Sequence, residues 1–371
     1  MTARIQKVLF LAILLYFFLV FIALMGVAFK LLGKDFSAAL IQSTSHPVVG
    51  LMIGMLATAI IQSSSTTTAL VVGMVAAGAL TVHGAVPLIM GANIGTTVTN
   101  TMVAMASVNR REEFRRSFAG ATMHDFFNLM SLAILFPLEI RFGFLERMAG
   151  AASQMLVGGA EVEFHSPVKA ATKPVAKAVA HALEDAGLSD PATGGVCLLL
   201  ALGGIFLVLL RLPKMMRELF LARAEGAFFQ HMRRGGLSGI LVGTFITVLV
   251  QSSSITTSLL VPMIGAGILP MEGAFAITLG ANIGTTVTAL LASTAGSREG
   301  VTIALVHLFF NIAGIALIYP VRAVRRLPIR MAEKLADLSL RSKLIPLLYL
   351  LSLFFLLPGL VILAQRLIPG G

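Results

Sequence analysis

Charged residues are scarce in this chain. Asp, Glu, Lys and Arg make up 12% of its 371 residues, about half the share of an ordinary soluble domain. The scarcity is also concentrated, because no charged side chain occurs in 36–109, 235–271 or 273–297. Uncharged stretches of that length are solvated by lipid rather than water. A soluble enzyme is therefore excluded, and so is a nucleic-acid-binding domain. The net charge of +11 is not arranged as the basic stripe that nucleic acid requires. Cysteine is nearly absent too, and the lone Cys197 permits no intrachain disulfide. Residues 8–32 lack a small-residue cleavage site and are long enough to span, so they read as a crossing rather than a cleaved leader. No dinucleotide fingerprint, P-loop or Cys/His cluster occurs. Glycine, by contrast, is plentiful at 35 residues, which suits close helix packing and helix breaks inside a bilayer.

A crossing needs roughly 20 apolar residues. On that rule full spans are expected at 8–32, 85–106, 118–140, 194–211, 272–293, 300–320 and 344–366. Segments 48–80 and 236–270 are too long for one crossing, and each is interrupted near its middle by a polar cluster. Both read as re-entrant hairpins with the cluster at the tip. With the N-terminus inside, the inner segments carry 19 basic and 7 acidic residues, and the outer ones 9 of each. That asymmetry satisfies the positive-inside rule. The C-terminus then falls outside. In the outer loop, Val168, Val175, Val179 and Leu183 share one helical face, and Lys169, Lys173, Lys177 and His181 another. The simplest reading is a helix lying on the outer surface, with an oxyanion-collecting patch as the alternative. Basic stretches at 211–234 and 322–343 read as interfacial helices near anionic lipid of the inner leaflet.

The chain repeats itself. Gly91-Ala92-Asn93-Ile94-Gly95-Thr96-Thr97-Val98-Thr99 recurs letter for letter at 280–288, an offset of 189. Gln62-Ser63-Ser64-Ser65 recurs at the same offset as Gln251-Ser252-Ser253-Ser254. His124-Asp125-Phe126-Phe127-Asn128 is matched by His307-Leu308-Phe309-Phe310-Asn311, 183 residues on. Three full spans separate the hairpins, so the copies enter from opposite faces. The expected fold is an all-α polytopic membrane protein with two inverted-topology repeats, each with a re-entrant hairpin and a broken transmembrane helix. Its units are an N-terminal helix and linker (1–47), repeat 1 (48–140), the outer loop (141–193), a helix with a basic segment (194–235), repeat 2 (236–320), and a basic helix with the last span (321–371).

The duplicated polar residues carry the chemistry. At a hairpin tip the returning half-helix directs its free N–H groups and positive dipole end at the membrane centre, as an anion site requires. Serine hydroxyls, with Thr66 beside them, donate to an oxyanion; Ser64 and Ser253 can also offer oxygen to a hard cation such as Na+. In the Asn-Ile-Gly-Thr-Thr motifs, glycine permits unwinding, so Asn93, Thr96, Thr97, Asn282, Thr285 and Thr286 are candidate Na+ ligands. Asn128 and Asn311 of the third motif are further candidates. The competing reading is that these groups bond back to their own helices or join neighbours. Asp125 is the one acidic residue inside an expected span. It reads either as part of an additional cation site or as a structural partner of His124. His124 and His307 read as helix-packing donors rather than proton carriers.

The paired clusters, the paired Gly-Ala-Asn-Ile-Gly-Thr-Thr motifs and the run 113–125 (EFRRSFAGATMHD) resemble the type II sodium-dependent phosphate cotransporters. The resemblance covers about 48–140 and 236–320. It implies Na+-coupled symport of inorganic phosphate, mainly the divalent form, by alternating access at the membrane midplane. It implies phosphate and Na+ binding by 62–65 and 251–254, and Na+ coordination by Asn93, Thr96, Asn282 and Thr285. Family members with Asp at the position of Asp125 are electrogenic and those with Gly electroneutral, so an extra Na+ and net charge movement are implied. The disulfide of the animal members' outer loop cannot form here. Their long tails are missing, so tail-binding partners are not expected. A bacterial inner-membrane location is expected, with phosphate, Na+ and lipid as partners and no organic cofactor. Alternatives are phosphate export, transport of another oxyanion, a passive anion channel, or an intramembrane serine hydrolase using Ser64 with His124 or His307. The last lacks a Gly-x-Ser-x-Gly elbow and does not account for a duplicated cluster.

Overall fold

The structure, a computed structural model, describes residues 2–157, 167–220, 235–294 and 296–367. In chain order the helices are α1 (Thr2–Leu32), α2 (Lys34–Ser43), α3 (Pro47–Ile61), α4 (Ser64–Ala76) and α5 (Val82–Ile94). A 3-10 turn (Gly95–Thr97) leads into α6 (Val98–Met105), α7 (Arg111–Phe142), α8 (Phe144–Val157), α9 (Pro167–Asp185) and α10 (Asp190–Phe220). The second half holds α11 (Gly236–Val250), α12 (Ser253–Gly265), α13 (Met271–Ser293), α14 (Arg298–Ile318) and α15 (Arg322–Ser339). Last come α16 (Leu344–Leu351), a π turn (Ser352–Leu356) and α17 (Leu357–Leu367).

Every described element is helical, so the protein is an all-α polytopic membrane protein. Six stretches among the described residues are long and apolar enough to cross a bilayer: in α1, α7, α10, α13, α14 and the run from Leu344 to Gln365. Their outward side chains, together with those of α11, include the exposed Leu199, Leu207, Leu237, Leu241, Leu348 and Leu360, an apolar surface of the kind a membrane span presents. The expected span at 85–106 is instead assembled from α5, the 3-10 turn and α6. The segments 48–80 and 236–270 each fold as two half-length helices, 15 and 13 residues long. At 1.5 Å per residue such helices are about 20 Å long, short of a hydrocarbon core of about 30 Å.

Glycine sets how closely these elements pack. A Cβ at Gly54 would lie 2.0 Å from the Leu88 carbonyl oxygen, and one at Gly91 1.9 Å from that of Leu51. Gly243 and Gly280 stand in the same relation to Ile277 and Ile240, at 2.0 and 1.9 Å. Helix α3 therefore meets α5, and α11 meets α13, with backbone against backbone. Such small-residue contacts replace the hydrophobic driving force that lipid removes.

Three expectations need correction. The motif at 280–288 is not a break, because α13 runs unbroken through it. Its threonines bond back to the helix, Thr285 to Ala281 O at 3.0 Å and Thr286 to Ile283 O at 2.7 Å. Its glycines are used for approach to α11 rather than for unwinding. Even in the first copy the break is only a 3-10 tightening. The outer-loop helix α9 is present with the expected faces, but it does not lie by itself on a surface. It packs along α1, where the Tyr16 hydroxyl donates to Ala171 O at 3.2 Å, and Thr172, Ala176 and Ala180 are buried. The side chain of Lys169 and most of the basic stretch 211–234 lie outside the described residues. Helix α15 buries Ile329, Ala332 and Ala336 against α7 and exposes arginines on its other face.

Candidate functional site

The two Gln-Ser-Ser-Ser clusters are the turns of the half-helix hairpins. Gln62 (φ 61°) and Gln251 (φ 55°) are the only non-glycine residues with positive φ among those described. A left-handed residue followed by an extended serine reverses the chain in two steps. Each N–H closes the preceding helix, Gln62 N to Thr58 O at 2.8 Å and Gln251 N to Thr247 O at 2.6 Å. Glycine would adopt this conformation at no steric cost, whereas another residue spends about 1–2 kcal/mol. The carboxamide supplies what glycine lacks. Gln62 Oε1 accepts from the Thr99 hydroxyl at 2.8 Å, and Gln251 Oε1 from Thr288 at 2.9 Å. Each tip is thereby tied to the last threonine of its own copy's second motif.

Past each glutamine a serine caps the returning helix. Ser63 Oγ accepts from Thr66 N at 3.2 Å, and Ser252 Oγ from Ile255 N at 3.3 Å. The cap uses the third N–H of α4 and α12. The N–H groups and hydroxyls of Ser64, Ser65, Ser253 and Ser254 make no hydrogen bond to a described residue, although Ser64, Ser65 and Ser253 are buried. These unspent donors sit at two helix N-termini, where negative charge is favoured. Thr66, in contrast, spends its hydroxyl proton on Ser63 Oγ at 2.9 Å, so it has no donor left for an anion.

The asparagines and histidines form a buried network across the two halves. His124 Nε2 meets Asn282 Oδ1 at 2.6 Å, and His307 Nε2 meets Asn93 Oδ1 at 3.2 Å. Asn282 Nδ2 donates to Asn128 Oδ1 at 3.1 Å, and Asn128 Nδ2 to Asn93 O at 2.9 Å. Asn311 Nδ2 reaches Asn282 O at 3.3 Å, while its Oδ1 has no partner among the described residues. Thr96 bonds back to Ala92 O at 3.2 Å. A back-bonded threonine keeps its oxygen lone pairs, which are what a cation needs. Among the described residues no hydrogen bond joins the two tips directly. They communicate through adjacent residues of α6, since Thr99 binds Gln62 and Asn100 Oδ1 accepts from Thr257 of α12 at 3.0 Å.

Asp125 is fully buried, and its partner is not His124. Neighbours in a helix point about 100° apart, and His124 faces Asn282 instead. Asp125 Oδ2 accepts from the Tyr349 hydroxyl of α16 at 2.8 Å; Oδ1 has no hydrogen-bond partner among the described residues, and Thr97 of the 3-10 turn adjoins the carboxylate. The Tyr349 ring sits among Phe118, Phe126 and Phe354. It carries no motif and lies 224 residues from its partner, so no pattern in the sequence pointed to it. No group of three or more His, Cys, Asp or Glu converges among the described residues. Oxygen donors such as the Asp125 carboxylate suit an alkali cation better than a transition metal.

A family model described as Na+/Pi-cotransporter matches residues 17–157 and 205–336. The chain belongs to this family. Similar proteins include sodium-dependent phosphate transport protein 2A of Rattus norvegicus, 35% identical over 94% of this chain and 66% of the relative. The 2A protein of Mus musculus is 34% identical over 96% and 67%, and the 2B protein of Homo sapiens 33% over 96% and 65%. This chain thus spans about two thirds of their length. No solved structure matches it at a significant level. The family is one of transporters, not enzymes. All three duplicated motifs fall inside the two matched segments.

Proposed function

We propose that this chain is a secondary transporter that couples Na+ to the uptake of inorganic phosphate, mainly HPO4 2−, by alternating access. The observation that carries the reading is the pair of left-handed glutamine turns, each presenting two serines with unspent hydroxyl and N–H donors. Phosphate is bound by Gln62, Ser63, Ser64 and Ser65 and by Gln251, Ser252, Ser253 and Ser254. Ser63 and Ser252 act as caps that hold the donors in place. Na+ is bound by oxygens of Asn93, Thr96, Thr97, Asn128, Asn282, Thr285, Thr286 and Asn311, with Ser64 and Ser253 shared between anion and cation. No Lys or Arg occurs in 48–109 or 236–271, so the protein offers the dianion no fixed positive charge. Taking it into a low-dielectric site uncompensated is prohibitive. Na+ supplies the charge, and that need is the origin of coupling.

The reading includes two inverted repeats, 48–140 and 236–320, a cytoplasmic N-terminus, an extracytoplasmic C-terminus and a bacterial inner membrane. Purified protein in liposomes should accumulate labelled phosphate under an inward Na+ gradient and carry current as it does so. Uptake indifferent to Na+ would sink the proposal. Asp125 supplies an additional Na+ site and the net charge movement. Asp125→Gly should leave uptake detectable but insensitive to membrane potential, and unchanged voltage dependence would refute this role.

Tyr349→Phe tests the same site more gently. The ring contacts survive, but the hydrogen bond that competes with Na+ for the carboxylate is gone. Hydrogen bonds to charged groups are worth about 1.5–3 kcal/mol. The Na+ concentration giving half-maximal uptake should fall roughly tenfold. An unchanged or higher value argues that Tyr349 and Na+ do not compete.

A further inference from the structure

A cavity of about 360 Å³ lies between the C-terminal halves of α1 and α4 and the helix α9. Its lining divides by chemistry. Ile22, Val27 and the small residues Gly26, Gly73 and Ala77 make an apolar floor, and Lys30, Lys173, Lys177 and His181 line it as well. The one carboxylate is Glu184, which is 3.1 Å from His181 Nδ1. Lys30, Lys173 and Lys177 make no ion pair with a described residue. Three unpaired lysines therefore line the cavity beside one carboxylate.

All three lysine side chains are exposed, beside apolar surface of a membrane span. The α1 part of the apolar floor, Ile22, Gly26 and Val27, belongs to the last three turns of a span that runs from Ile5 to Leu32. The bond from Tyr16 to Ala171 holds the start of α9 against the middle of that span. Lys173 and Lys177 follow on one face, four residues apart, as side-by-side neighbours. Ammonium groups next to lipid-depth apolar surface need an anion or a route to the headgroup layer. We infer that this cavity binds a phosphate-bearing anion, its oxygens held by Lys30, Lys173 and Lys177. The apolar floor receives acyl chain where that anion is a phospholipid headgroup. The site is separate from the serine tips, since it lies at the opposite end of α4 from Ser64.

The full-length protein is reconstituted in nanodiscs of phosphatidylcholine with or without phosphatidylglycerol, and in phosphatidylcholine with inorganic phosphate. Bound lipid is counted by native mass spectrometry and phosphate binding by calorimetry. Two variants are compared with the parent. The triple change Lys30→Gln, Lys173→Gln, Lys177→Gln removes the charges. Gly26→Leu fills the cavity, where the nearest atom to a new Cβ is Ala77 Cβ at 3.8 Å. At about a fivefold gain in affinity per lysine, the triple variant should lose on the order of a hundredfold. Retention of phosphatidylglycerol lost in both variants identifies the lipid as the source. A second class of phosphate site, present in the parent and absent from both variants, identifies the free anion. Equal lipid retention and phosphate binding in parent and variants, each monodisperse, would overturn the inference.

Discussion

Gly280→Ala should leave little folded protein in the membrane, and Gly91→Ala should do the same from the other half. A methyl at Gly280 would stand 1.9 Å from Ile240 O and 2.7 Å from Thr244 N; one at Gly91 would stand 1.9 Å from Leu51 O. A flexible side chain could rotate away from such a contact, but a helix backbone cannot. The paired helices would have to separate by more than about an ångström along their length. The hydrogen bond from Thr244 to Gly280 O, 3.1 Å long, would go with it. Ordinary overpacking costs about 1–3 kcal/mol, and a clash with main chain belongs at or above the top of that range. The measurement is the monodisperse fraction in detergent and its melting temperature. Gly203→Ala is the control, because nothing lies within 4 Å of its Cβ position. There the substitution should be neutral or slightly stabilising. Similar yields for Gly280→Ala and Gly203→Ala would refute the packing argument.

The second large effect is expected at Asn282. An average interhelical hydrogen bond in a membrane contributes only about 0.6 kcal/mol. Asn282 is different, because Asn282→Leu removes an acceptor from His124 and a donor from Asn128 together. Both groups are buried and neither can turn to water. Each costs about 1–3 kcal/mol when left unpaired, so uptake should fall at least about thirtyfold and the melting temperature with it. A double variant, Asn282→Leu with His124→Phe, isolates the contribution of the stranded histidine. If the loss comes from that group, the two effects should be less than additive by at least about 0.5 kcal/mol. Strict additivity would mean the pair is not coupled.

These two positions also mark where the sequence could be read and where it could not. The Gln-Ser-Ser-Ser turns were readable because a polar cluster in the middle of a lipid-length apolar run is tolerated only where the helix is interrupted inside protein. The duplicated motifs were readable because they repeat letter for letter. What glycine does inside them was not, since the same residue permits both an unwound helix and a helix in backbone contact with another. Gly280 and Gly284 take the second course, so the helix expected to be broken is continuous. Asp125 and His124 are adjacent in the chain but face different partners, which a linear reading cannot distinguish. Tyr349 was invisible for a related reason. It reaches Asp125 from a helix that is otherwise mostly turned to lipid, and one tyrosine in an apolar span has no pattern around it. The lysine face of α9 is legible in the periodicity, but its position beside α1 depends on tertiary packing that periodicity does not encode.

The reciprocal pairs His124–Asn282 and His307–Asn93 have a consequence of another kind. In each, a histidine from one half meets the asparagine of the other half's motif. This is the signature of an isologous contact, in which i meets j and j meets i across a two-fold axis. The polar centre thus has the form of a homodimer interface written into a single polypeptide. The side-chain oxygen of each asparagine finds its partner only in the other half. During synthesis, Asn93 Oδ1 and His124 Nε2 of the first half therefore lack these partners until the second half has been made.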